Sequence, residues 1–213
     1  MAELPKPGDF FIGIAEFFGS FAPGTVLVAL LWRLGTVPGF SEEPRDLLGF
    51  EGAALVAALL VGGYLAGNLV SVLGATLDTS YDAVRKLRYP FARDKAYQAA
   101  KRLRDNELAG DEPMNVFQWA RAVLAIEHRD AFDEVSRLEA ASKLFRSMVI
   151  VSLVVAVAAA LRSQRDAALA AVGGAVLSFW PYVDRRYKST EAAYRLVIVL
   201  RARRPNPNGG RTS

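Results

Sequence analysis

The chain has no cysteine and a single histidine, His128, among its 213 residues. The first absence excludes a disulfide scaffold. Together they exclude the usual Cys- or His-based zinc site within one copy of the chain. Catalytic signatures are missing as well: no G-x-x-x-x-G-K-[ST] loop, no G-x-G-x-x-G turn, no H-E-x-x-H and no G-x-S-x-G elbow. A Ser-His-Asp triad would have to draw on His128 with no oxyanion element beside it. No enzyme activity, cofactor or metal is therefore expected. Nucleic acid is not an expected partner either. Lys101, Arg102 and Arg104 are interleaved with Asp105 and Glu107, a solvated face without the aromatic platform that single strands require.

What the chain has is apolar residues, 52% of the total, with a mean hydropathy of +0.19. They come in blocks. Gly52 to Leu77 runs 26 residues without a charge. As a helix it measures about 39 Å, more than a hydrocarbon core of about 30 Å. Phe10 to Trp32 is uncharged except for Glu16, and Ser147–Leu161 and Ala167–Val183 are uncharged throughout. The last two are short, but flanking arginines extend them by snorkelling. Joined by the polar residues 162–166, they read as a transmembrane hairpin. Pro23 interrupts the first block by removing a backbone donor. A kink is expected there, or an interfacial half-helix ending near Ser20 followed by a span from Pro23.

The expected fold is all-α: a polytopic integral membrane protein with four transmembrane helices and a helical cytoplasmic insert between the second and third. The divisions are an N-terminal pair (1–77), the insert (78–146), the hairpin (147–183), and an amphipathic helix with a disordered tail (184–213). Charge sets the orientation. Of the 26 Lys and Arg residues, only Arg33, Arg45, Arg162 and Arg165 lie on the side opposite the termini. The positive-inside rule then puts both termini and the insert in the cytoplasm, across a cytoplasmic (inner) membrane. No cleavable signal is expected at the N-terminus.

Within the insert, Tyr81 to Tyr89 should prolong the second span outward until Pro90 stops it. A second helix is expected over 94–108. A third should run unbroken from about Met114 into the third span. Its apolar stripe includes Phe117, Leu124, His128, Leu138 and Phe145, with the heptad positions 117, 124, 131, 138 and 145 forming a seam like that of a coiled coil. His128 is expected as a hydrogen-bonded core residue on that seam, with a pH sensor or an intersubunit histidine ring as alternatives.

Polar residues inside the spans are costly and therefore informative. Glu16 is the one acid within an apolar block: a cation or proton site facing a pore, an interface residue, or one half of an ion pair. Asn68 and Ser71, one turn apart, are expected to line a pore or to bond a neighbouring helix. Gly63 and Gly67 form a G-x-x-x-G, and Gly173 and Gly174 offer a second small face for helix packing. Two basic clusters, Arg85, Lys86 and Arg88, and Arg185, Arg186 and Lys188, are positioned to contact anionic lipid.

These features favour a small homo-oligomeric pore or membrane-perturbing effector gated by its cytoplasmic helices. The alternative is a non-catalytic membrane scaffold or accessory subunit that recruits a cytoplasmic protein partner. A transporter is disfavoured, because paired ionisable residues within the spans would be expected. The bilayer is a partner in every case.

Overall fold

The computed structural model describes residues 17–35, 53–88, 90–108 and 114–203. Among these every regular element is helical, and there is no strand. A π-helical turn, Phe17–Phe21, leads into α1 (Ala22–Arg33). There follow α2 (Ala53–Gly74), α3 (Leu77–Arg88), α4 (Lys95–Glu107), α5 (Val116–Glu127), α6 (Arg129–Leu161) and α7 (Arg165–Ala202). The chain divides into two compact units. One comprises Met1–Asp82 and Ala140–Arg185, the other Ala83–Glu139 and Arg186–Ser213.

The first unit is organised around Pro23. A helical Pro23 has no N–H to give the carbonyl of Gly19, four residues earlier. That carbonyl instead accepts from Ser147 Oγ of α6, buried, at 3.1 Å. The π turn and α1 then lie directly on α2. A Cβ added to Gly24 would strike the carbonyl of Gly63 and the amide of Gly67, and one on Gly67 would strike the carbonyl of Ser20. A Cβ on Gly63 would come within 2.5 Å of Thr25 Oγ1. Backbones this close require residues without side chains. Next to this contact, Leu27, Val70, Ile150, Val151 and Val155 form the apolar core.

Outside that core the helices remain apolar. Leu65, Leu69 and Val72 of α2, Val157 and Leu161 of α6, and Leu169, Val176 and Leu177 of α7 are all more than half exposed. Helices that are apolar on their outer faces are suited to lipid. Among the described residues, α6 and α7 are long and apolar enough to cross a membrane. The pair α2–α3 is a third such element if its two helices count as one span.

Two expectations are corrected here. The second apolar block does not continue straight to Pro90. Ala75 and Thr76 form a turn, and the two arms bend by 42°. Thr76 Oγ1 donates to the carbonyl of Leu73 at 2.7 Å at this turn, and Asp78 N–H restarts the ladder on Ala75. Nor is there one helix from Met114 into the third block. The backbone breaks at His128 (φ −151°, ψ 87°). Arg121 and Glu139 then approach to 3.1 Å, whereas 18 residues along an unbroken helix would separate them by about 27 Å. The supposed seam is a reversal, in which α5 and the start of α6 face one core. That core holds Ala100, Trp119, Leu124, Val135, Tyr194 and Val197, from α4, α5, α6 and α7.

The glycine contact generates a contrast. Gly67→Ala forces α1 off α2 and should cost about 1–3 kcal/mol, the range for overpacking. Gly173→Ala meets nothing within 4 Å and should be neutral or mildly stabilising. Thermal unfolding of the two variants in one detergent measures the difference.

Candidate functional site

The last turn of α3 carries Arg85, Lys86 and Arg88. Helical geometry separates them. Asp78, Tyr81 and Arg85 fall at spacings of three and four, and Tyr81 and Arg85 are buried, whereas Lys86 and Arg88 face outward. Arg85 is only 4% exposed. Its guanidinium lies 4.0 Å from the centroid of the Phe91 ring and 6.0 Å from that of Tyr187, and it pairs with Asp94 at 3.6 Å. Arg85 is therefore not a lipid contact: burial removes it from any headgroup.

Asp94 serves two roles. Its Oδ1 accepts Tyr97 N–H at 3.0 Å and so caps α4. Its other oxygen faces Arg85. Gln98 Nε2 donates to the Phe91 carbonyl at 3.1 Å and draws the turn after Pro90 closed. The Tyr97 ring packs between those of Phe91 and Tyr194, tilted to the first and edge-on to the second. Burial pushes the Tyr194 phenol up to about 12, against the pull of the nearby Arg85 charge. Two depressions adjoin this lock. A recess of about 230 Å³ is lined by Leu87, Arg88, Pro90, Arg93, Asp94 and Tyr187. A wider, mainly apolar groove of about 390 Å³ runs between Glu134 and Leu138 of α6 and Lys188, Ala192 and Leu196 of α7.

A second arginine closes the other end of this unit. Arg201 donates to Glu127 at 2.6 Å and to Glu107 at 3.1 Å. Both acids sit at helix C-termini, where a negative charge opposes the helix dipole, so a shared cation relieves both ends. Burial works against the Arg201 charge, but hydrogen bonds to Glu127 and Glu107 outweigh it and hold its pKa above the ordinary arginine value.

In the first unit, Asp78 collects Arg146 Nη1 at 3.3 Å and the Tyr182 hydroxyl at 2.8 Å. The Arg146 stem lies across Gly74, 3.3 Å from where a Cβ would stand. Among the described residues no cluster of three His, Asp or Glu side chains is placed to hold a metal ion. No protein-family profile, curated protein or solved structure matches the chain.

The remaining sequence candidates scatter. Glu16 lies outside the described residues. Asn68 is exposed, and its Nδ2 donates to the Tyr64 carbonyl at 3.0 Å, so it bonds its own helix rather than a neighbour. Ser71, one turn on, is half-buried. Gly63 and Gly67 lie beneath α1. A Cβ on Gly174 would stand 3.3 Å from Ser152 Oγ of α6, while one on Gly173 would meet nothing within 4 Å. Lys86, Arg88, Arg185 and Lys188 are exposed, and Arg186 is half-buried, 5.9 Å from the centroid of the Phe117 ring. Of the seam residues, Leu124 is fully buried, Phe117 and Phe145 are half-buried, and Leu138 is half-buried beside the groove. His128 is no core residue. It is exposed at the break between α5 and α6, its Nδ1 accepting Ala131 N–H at 3.3 Å. Sequence reasoning missed Asp78, Asp94, Arg146, Tyr182 and Arg201. The spacing of 78, 81 and 85 was a usable signal for α3, but no local pattern marks pairs 68 or 104 residues apart.

Two measurements test the lock. Asp94→Ser keeps a capping oxygen but leaves Arg85 charged and buried. It should cost about 3–5 kcal/mol. Adding Arg85→Met should recover more than half of that loss, as read by denaturant unfolding. Tyr194 sets an alkaline limit. The unfolded phenol ionises near its ordinary 10 and the folded one near 12. The folded state therefore holds the extra proton, and stability falls by up to about 1.4 kcal/mol per pH unit as pH rises from 10 to 12. Tyr194→Phe should flatten this component in unfolding curves across that window.

Proposed function

We propose that this chain is a non-catalytic integral membrane scaffold, whose second unit lies in the cytoplasm and recruits a protein partner to the membrane. The observation that carries the reading is the continuity of α6 and α7. Each is one helix with an apolar part in the first unit and a part that builds the core of the second. The second unit thus has its own core and is tied by unbroken helices to segments suited to lipid. The four-span arrangement, with both termini cytoplasmic, draws its support from the four apolar blocks and the strong bias of Lys and Arg to one side.

The scaffold stands ahead of a gated homo-oligomeric pore for a specific reason. The pore reading leans on Glu16 and Asn68. Of these, the Asn68 amide is engaged by its own helix rather than turned to a shared lumen. The groove at Leu138 and Leu196 is the natural place for a partner to engage, because its apolar floor is bordered by the Arg137–Glu134 and Arg195–Glu191 ion pairs.

The absence of native cysteine makes the test direct. In right-side-out membrane vesicles, an impermeant maleimide should label Ser163→Cys and leave Arg137→Cys unlabelled until the membrane is opened. A benzophenone attached at Leu138→Cys should give one defined adduct with a second protein in native membranes. Liposomes holding the purified chain should stay ion-tight. Reversed labelling would overturn the topology. Ion flux from a self-cross-linked oligomer would replace the scaffold with the pore.

A further inference from the structure

Two stripes with the same spacing run along opposite faces of α2. Gly63, Gly67, Val70 and Gly74 follow one another at intervals of four, three and four, and all are buried. That face is occupied. Gly63 and Gly67 lie beneath the π turn and α1, Val70 joins the apolar core, and the Arg146 stem lies across Gly74. Val61, Leu65, Asn68 and Val72 repeat the same intervals two residues earlier, about 200° around the helix. All four are exposed, the three apolar ones by more than half. Alternating intervals of three and four keep one set of residues turned toward a second helix along its whole length. The inner stripe has such a neighbour within the chain, and the outer stripe has none.

Apolar residues alone would ask for nothing but lipid. Asn68 asks for more. One N–H of its amide donates to the Tyr64 carbonyl, and among the described residues the side chain makes no other hydrogen bond. Its Oδ1 and its second N–H remain, on a face that is otherwise apolar. An amide short of partners is costly in hydrocarbon. One spare acceptor beside one spare donor is answered by another primary amide in the same state. A twofold axis supplies that amide. Copies inserted with one topology run their α2 helices parallel, so each stripe residue meets its own counterpart. Asn68 then faces Asn68 of the second copy, and the two amides close reciprocally. A single asparagine in a heptad seam fixes register and strand number in the same way.

We propose that two copies of this chain pair through the outer face of α2, as a parallel twofold dimer with Asn68 against Asn68 and with Val61, Leu65 and Val72 along the seam. The parallel orientation rests on the membrane reading above. A seam of two helices encloses no lumen, so the dimer leaves the membrane ion-tight and presents the scaffold's groove twice.

Single cysteines in the full-length chain provide the test. In native membranes oxidised with copper phenanthroline, Val61→Cys, Leu65→Cys and Val72→Cys should each form a disulfide between two copies. Leu60→Cys and Leu73→Cys, exposed to either side of the stripe on the same helix, should form it at least tenfold more slowly. Energy transfer between fluorophores at Ser163→Cys, followed in liposomes as the protein is diluted into lipid, reads the strength of pairing. Asn68→Leu should weaken it about tenfold, the effect of losing two interhelical hydrogen bonds. Asn68→Gln keeps the amide and should retain most of it. Both changes fall on an exposed position, so the fold tolerates them. Alkaline carbonate extraction separates this inference from the membrane reading. A chain released by carbonate would end the membrane scaffold, and same-residue disulfides persisting in the released chain would uphold the interface. No disulfide at the stripe, equal rates at the stripe and beside it, disulfides only to a different protein, or undiminished pairing of Asn68→Leu would each overturn the dimer.

Discussion

A peptide group removed from water needs a partner within the protein, so the buried apolar segments of this chain must satisfy their own backbone. Most of the first unit follows from that constraint. Helices meet it by default, and the exception shows how strict it is. Pro23 has no N–H for the Gly19 carbonyl four residues earlier, and a serine from a helix more than a hundred residues away donates to it. The same region dispenses with side chains at Gly24, Gly63 and Gly67, so that two backbones nearly touch. Cavities or unsatisfied carbonyls there would be costly, because buried backbone groups need partners. Position 147 and the three glycines are accordingly narrow in what they accept.

Charge follows a parallel rule in the second unit. Long cationic side chains turned inward are matched. Arg85 has Asp94 and two aromatic rings, Arg104 has Asp105 and the Met114 carbonyl, and Arg201 has two glutamates. Some of the ion pairs join separate helices: the end of α7 to the ends of α4 and α5, and α5 to α6 through Arg121 and Glu139. Such pairs fix register more than they add stability, since desolvation offsets much of the attraction. A small helical unit with short helices gains most from that kind of specification.

The helical character of the chain was legible from its charge-free blocks and from Asp94, Ala, Lys and Arg at the start of α4. The reversal at His128 was not. Heptad spacing records which residues share a stripe and says nothing about whether the backbone runs straight. Leu124 and Val135 face the same core from two helices, so the stripe reads continuously through the fold-back. The inward turn of Arg85 escaped for a related reason. Three basic residues in one turn look alike in composition, and only the alignment with Tyr81 distinguishes the buried one. Asn68 reads as interhelical by type, yet the carbonyl one turn earlier is its nearest acceptor.

One dimension of α7 bears on mechanics. At 38 residues it has a contour of about 57 Å. The weak point is fixed by covalent structure. Pro181 withdraws one rung, leaving the Leu177 carbonyl without its helical donor near the middle of the rod. A beam softened at one known point bends there first, so the stiffness of α7 is set by a single imino acid.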